Sequence, residues 1–395
     1  VRILSVSLRA SSDKIGKTAA YYASYIAVGF ATGIVGPTLP GLAENTGSTL
    51  SQISYLFSTY SVGYLIGSFL SGYLFDRTKG HPLISAALCI IMLLVVLIPL
   101  VPLMYVVLGL FFLVGLTTAA VDVGGNTLLI WIHGNNVRSF MVGLHFFFGV
   151  GALVAPLVVG LTMRVSGDIA WSYWILACIC LPLCVLFFRL RSPEHTSGNE
   201  KGVVKGKNNL LVLLITLFIF LHVGTELSFG GWIYSYAISL DLADESSAAY
   251  MTSLYWGALT LGRLVSVFIA LKMRTSHMLM VDLAGSMLAV VLLLVYPHSS
   301  PAAWIATTIL GFSIAAILPS SLTFAGENMD VTGRVMRWFI IGIGAGNMFF
   351  PWLVGQFFEK IGPAVMPIVN VSALTLASAL LMYMAVLTKT KVSRS

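Results

Sequence analysis

Charge is what this sequence has least of. Asp, Glu, Lys and Arg make up 9% of its 395 residues, whereas a soluble domain carries about 25%. So few charged groups could not cover a globule of this size, which excludes an ordinary soluble enzyme, a nucleic-acid-binding domain and a disordered chain. Cysteine is scarce too. Cys89, Cys178, Cys180 and Cys184 all fall inside apolar runs, no pair has zinc-ligand spacing and no loop carries a disulfide framework, so all four are expected to be packing residues. There is no Walker phosphate loop, zinc-helix motif or Gly-x-Ser-x-Gly elbow. No ATP hydrolysis, enzyme activity or cofactor is therefore expected. Segment 1–16 is polar and basic, and the first apolar run is too long for a signal h-region, so no cleavable leader is expected.

What is abundant is apolar surface, 58% of the chain. It is gathered into runs long enough to cross about 30 Å of hydrocarbon as helices. Twelve spans are expected: 17–40, 48–75, 82–100, 103–132, 139–163, 170–188, 209–239, 247–271, 278–296, 301–325, 335–357 and 364–387. With the N-terminus inside, 19 of the 22 basic residues fall on inner segments, Arg164 and Lys360 fall outside, and Arg263 lies within a span. That asymmetry places both termini in the cytoplasm of a plasma membrane and explains the net charge of +7 without nucleic acid. The expected fold is an all-α integral membrane protein of twelve transmembrane helices in two six-helix halves, 1–190 and 209–395, joined by a Gly-, Lys- and Ser-rich linker at 191–208.

The halves echo each other. Span five carries Gly149-x-Gly151-x4-Pro156-x3-Gly160, and span eleven carries Gly344-x-Gly346-x4-Pro351-x3-Gly355, offset throughout by 195 residues. Small residues of this kind let helix backbones approach closely. Duplicated halves place a substrate site near mid-membrane between them. The turn Gly72-Tyr-Leu-Phe-Asp76-Arg77-Thr-Lys79-Gly80 resembles the loop signature of the major facilitator superfamily, with His81-Pro82 in place of its final basic pair. Three further segments are similar to the fucose/glucose symporter group, in particular its sodium-dependent glucose transporter-like branch. They are Asp122-Val-Gly124-Gly125-Asn126, Leu144-His145-Phe146-Phe-Phe-Gly149 and Val223-Gly224-Thr225-Glu226-Leu-Ser-Phe229-Gly230. The resemblance implies alternating-access import of a monosaccharide coupled to sodium or a proton, with Asp76 and Arg77 as an inner gate clamp. Membrane lipid is the expected surrounding, and the functional unit is expected to be a monomer. A proton-coupled exporter of amphipathic drugs or lipids is the alternative. A sugar-binding sensor is disfavoured because there is almost no soluble domain to relay a signal.

Three acidic residues fall within spans, Asp122, Glu226 and Asp282, and ionisable groups there usually face a bundle interior or an aqueous cavity. Asp122, Asn126 one turn away and His145 on the next span are expected to form one polar cluster. It would exchange a proton, hold sodium through Asp122 and Asn126, or simply staple the two helices. Glu226 is expected near mid-membrane, with His222 one turn below and with Gly224, Gly230 and Gly231 weakening its helix as in broken transport helices. Trp232 and Tyr236 follow as aromatic faces for a sugar, with Trp256 as a further platform and Asn347 as an amide able to reach the cavity. Gln356 and Asn370 are candidates of the same kind. Arg263 and Asp282 are expected to pair, either as a fixed ion pair or as a latch.

Overall fold

The computed structural model describes residues 2–193 and 209–392. The expected linker therefore lies, from residue 194 on, outside the described residues. Fifteen α-helices are present among the described residues: α1 (Arg2–Gly33), α2 (Val35–Thr46), α3 (Leu50–Ile53), α4 (Tyr55–Phe75), α5 (Gly80–Leu97), α6 (Met104–His133), α7 (Val137–Ser166), α8 (Ala170–Arg189), α9 (Asn209–Ser239), α10 (Glu245–Ile269), α11 (Thr275–Val295), α12 (Ser300–Ile314), α13 (Ile317–Asn328), α14 (Gly333–Ile361) and α15 (Val365–Val392). Eleven segments are long and apolar enough to span a membrane, and the pair Lys14–Gly33 and Val35–Thr46, bent by 52°, makes the twelfth. An even number of crossings returns the chain to its starting side. We call that side, which carries both chain ends, the terminal face, and the opposite side the far face.

Proline sets the breaks. Pro37 lacks the N–H that would bond Gly33, and the first span bends there. Pro319 withdraws the bond to Ala315, where α12 gives way to α13. The glycines around Glu226 do not break their helix: α9 runs uninterrupted from Asn209 to Ser239. They serve close approach instead. A methyl group added at Gly224 would lie 2.2 Å from the Phe350 ring, and one at Gly36 would lie 2.9 Å from Gly230 O.

The repeated glycine motif has a division of labour. Its middle glycines face the first helix of their own half: a Cβ at Gly151 would meet Ile26 O at 2.1 Å, and one at Gly346 would meet Phe220 O at 2.5 Å. Its first and last glycines face the other half. Gly149 meets Thr260 and Gly160 meets Tyr250 on α10, while Gly344 meets Leu65 and Gly355 meets Ser54 on the second span. Each half thus contributes one glycine-lined helix to the seam between them. Gly151→Val is expected to lower the thermal unfolding midpoint sharply or abolish folded yield, because backbone rather than a flexible side chain occupies the space. Detergent-solubilised protein followed by tryptophan fluorescence tests this, and an unchanged midpoint would mean that the α1–α7 seam is looser than described.

One expectation about cysteine is overturned. Cys89 on α5 and Cys184 on α8 form a disulfide 95 residues apart, while Cys180 is a buried free thiol and Cys178 an exposed one. The pairing stayed hidden because nothing in sequence places α5 beside α8.

Candidate functional site

A cavity of about 720 Å³ lies between the halves, within the range of about 300–1,000 Å³ common to small-molecule sites. Tyr25, Tyr64, Asp122 and His145 line it from the first half, and Glu226, Trp256, Arg263 and Asn347 from the second. Arg138, His145 and Pro319 on its wall are exposed, and Arg138 also lines a second cavity of about 810 Å³ at the terminal-face ends of the later helices. The central cavity therefore opens toward the terminal face.

The far face is tied shut. Gln356 Nε2 donates to Ser51 O (2.9 Å) and Ser54 Oγ (3.3 Å), and Ser51 Oγ donates to Gln356 Oε1 (3.2 Å). Glu359 Oε1 accepts from the Leu50 amide at 2.9 Å. On the other seam Ser246 Oγ donates to Gly160 O (3.1 Å) and Ser253 Oγ to Leu153 O (2.6 Å). Gln356, expected to reach the cavity, instead closes this end.

On the first half, Asp122 is held by two phenols. Tyr25 Oη donates to Asp122 Oδ1 at 2.5 Å, and Tyr64 Oη donates to Oδ2. Asn126 Nδ2 donates to the Asp122 carbonyl (2.9 Å) and Oδ1 (3.2 Å), and lies 2.5 Å from Tyr25 Oη. The expected partnership of Asp122 with Asn126 is present. Among the described residues no hydrogen bond joins His145 to Asp122. Tyr25, from α1, takes that position, and His145 meets its ring edge-on at 6.0 Å. Tyr25 and Tyr64 went unnoticed in the sequence because an aromatic in an apolar run looks like packing.

On the second half, Arg263 Nη2 lies 3.2 Å from Glu226 Oε1. The Glu226 side chain is 9% exposed and that of Arg263 26%. His222 Nε2 stands 3.5 Å from Glu226 Oε2, at ion-pair distance but without hydrogen-bond geometry. The Tyr255 hydroxyl donates to the Glu226 carbonyl at 2.9 Å. Arg263 thus pairs with Glu226 and not, as expected, with Asp282. Asp282 does not line the cavity, and among the described residues its Oδ2 has no hydrogen-bond partner. The difference arises because Arg263 turns inward from α10 toward α9, an orientation that depth along the span does not reveal.

The remaining candidates divide. Trp256 and Asn347 line the cavity. Trp232 and Tyr236 are fully buried away from its lining; Trp232 Nε1 donates to Pro351 O at 2.9 Å and its ring packs on Phe358. His222 stands behind Glu226 and Asn126 behind Asp122. Asn370 accepts from Ser228 at 2.9 Å, also off the cavity. Asp76 and Arg77 are exposed at the terminal-face end of α4, where the Arg77 guanidinium lies 4.1 Å from the Tyr73 ring centre.

Two six-helix halves around a central cavity, open on one side and sealed on the other, define a membrane transporter. The chain belongs to the Major Facilitator Superfamily, whose family model matches residues 21–351. It is 27% identical over 372 residues to sodium-dependent glucose transporter 1A of Mus musculus, covering 85% of this chain and 88% of that protein. In fold it is similar to a nucleoside transporter (TM-score 0.75, 13% identity, 94% of this chain and 99% of that one). A D-xylose–proton symporter is similar too (TM-score 0.72, 12% identity, 92% and 97%).

Proposed function

We propose that the protein is a secondary active transporter that imports a monosaccharide of the glucose, galactose or fucose class, by symport with sodium or a proton. It works from a plasma membrane as a monomer, with the terminal face cytoplasmic. The observation that carries this reading is that two carboxylates, the half-buried Asp122 and the buried Glu226, face one cavity from opposite halves. The relative from mouse, named for sodium-dependent glucose transport, adds support.

The chemistry follows from the two walls. Glu226 and Arg263 together offer acceptors and donors to a hydroxylated rim, and Trp256 offers an apolar face to sugar C–H groups. A sugar that draws Arg263 or Glu226 from its partner links cargo binding to the charge balance of the cavity. Coupling requires that ion and sugar together favour the switching state more than either does alone.

Uptake of labelled glucose, galactose and fucose into proteoliposomes under an imposed sodium or proton gradient tests the reading. Accumulation against the sugar gradient is expected for at least one pair. Uptake indifferent to both gradients would remove the coupling. The apolar stretch of wall from Met141, Val142, Leu264 and Leu322 favours a second reading, a proton-coupled exporter of amphipathic compounds. Under it, sugars would fail in this assay and a lipophilic dye would leave loaded vesicles.

A further inference from the structure

The wall of the central cavity changes character with depth. Met141 and Val142 follow the start of α7 at Val137, Leu264 precedes the end of α10 at Ile269, and Leu322 precedes the end of α13 at Asn328. All four lie within two turns of those terminal-face helix ends, roughly 6–9 Å in. Asn347 and Trp256 line the same cavity between three and four turns from Gly333 and Ile269, roughly 20 Å in. Arg263 starts in the shallower layer but reaches Glu226 Oε1. The second half thus gives the cavity a polar floor, and both halves give it an apolar throat. We propose that the cargo is a glycoside rather than a free sugar: a monosaccharide head at the floor, carrying on its anomeric oxygen an apolar alkyl or aryl group that lies in the throat. The proposal rests on the sugar-transport reading and narrows its substrate class.

The floor suits a hydroxylated head. Trp256 Nε1 and Asn347 Oδ1 are covered polar atoms with no hydrogen-bond partner among the described residues. One donates and the other accepts, and a hydroxyl does both. Buried polar atoms are nearly always paired, so an unpaired donor and acceptor on one cavity wall point to a ligand that completes them. Glu226 and Arg263 add a charged acceptor and a charged donor on the same half.

The throat suits the opposite. The hydroxyl in this layer, that of Ser266, already donates to Arg263 O at 2.7 Å. A free sugar held at the floor would leave the apolar throat wet, whereas an apolar substituent covers it, with a gain that scales with the area covered. Size agrees. A cavity of about 720 Å³ is on the scale that encloses drug-sized ligands, and a single pyranose ring would leave much of it unfilled. Direction agrees as well. The Gln356 and Glu359 seam closes the far face, so a substituent on the throat side meets open space, up to the exposed Arg138 at the rim. One molecule then answers both to the floor, which favours a sugar, and to the throat, which favours an amphipathic compound.

Full-length protein is titrated with methyl, propyl, pentyl and phenyl glycosides of glucose, galactose and fucose, followed by the thermal unfolding midpoint and by inhibition of labelled sugar exchange in proteoliposomes. For the head that binds, affinity is expected to rise about three- to fourfold per methylene along the alkyl series, while pentanol and phenol alone leave both readouts unchanged. Leu264→Asn and Val142→Asn each place an amide in the throat and are expected to lower the phenyl-to-methyl affinity ratio by about tenfold. Poor yield or loose folding would not move that ratio. Carriage is read by counterflow: labelled phenyl glycoside is expected to accumulate transiently in vesicles preloaded with the unlabelled compound. Equal affinity for methyl and phenyl glycosides would overturn the proposal and leave sugar transport standing. Tight binding of the phenyl glycoside without counterflow would make it an inhibitor and overturn the proposal as well. Pentanol or phenol binding as tightly as its glycoside would overturn it in favour of an amphipathic cargo with no sugar head. Failure of every sugar and glycoside in both readouts would refute the sugar reading itself.

Discussion

Glu226→Gln is expected to reduce gradient-driven sugar uptake to background at saturating sugar while the protein still folds. Gln is nearly the same size, and its amide oxygen can still accept from Arg263, 3.2 Å away. What it cannot do is balance the arginine's charge. Breaking a buried ion pair by removing one partner costs about 3–5 kcal/mol; here the cost falls at the low end or below it, because Arg263 is a quarter exposed and water reaches it. The unfolding midpoint should therefore fall modestly while transport disappears. The double replacement Glu226→Gln with Arg263→Met separates two roles. If the pair only ties α9 to α10, removing both charges restores stability and uptake together. If the pair meets cargo, stability returns and uptake does not. Wild-type uptake by Glu226→Gln alone would eliminate the residue from the mechanism, and restored uptake in the double variant would reduce the pair to a staple.

The twelve spans were legible because each crossing needs its own long apolar run, and hydrocarbon tolerates no substitute. The first helix extends well outside its expected bounds, from Arg2, because its polar opening residues carry no hydrophobic signal to mark where it begins. The Gly149 and Gly344 motifs were readable as a repeat, but not as a seam with two sides; that needed the positions of Ile26, Thr260, Leu65 and Ser54. Depth along a span was legible, and rotation about its axis was not. Rotation decides that Arg263 meets Glu226 rather than Asp282, and that Trp232 and Tyr236 point into packed protein while Trp256 lines the cavity. The Asp122 cradle was half visible. Asn126 stands one turn away on the same helix and its partnership follows from spacing, whereas Tyr25 and Tyr64 arrive from α1 and α4.

The far-face seam offers the second large effect, because its loss changes which side of the membrane the cavity sees. Gln356 makes three hydrogen bonds to Ser51 and Ser54, Glu359 caps the Leu50 amide, and Gly355 lets the helices touch: a Cβ there would lie 2.3 Å from Ser54 Oγ. These contacts exist only while the far face is closed, so weakening them favours the alternative state without touching the cavity wall. Net values of about 0.5–1.5 kcal/mol per bond, lower for the exposed ones, put Gln356→Ala at about 1–3 kcal/mol, or a shift of roughly five- to hundredfold in the ratio of states. Gly355→Trp goes further, since no closed arrangement accommodates the ring. The readout is labelling of a cysteine introduced at Val28 on the cavity wall (V28C), with the exposed Cys178 replaced, by an impermeant thiol reagent applied from the far face. The parent should be protected, Gln356→Ala partly labelled and Gly355→Trp labelled freely. Protein that had merely unfolded would lose its cooperative thermal transition as well, so labelling with that transition intact identifies a change of state. Continued protection of V28C in both variants would mean that the closure is carried elsewhere, by the Gly160–Ser246 seam or by the packing of Gly36 against Gly230.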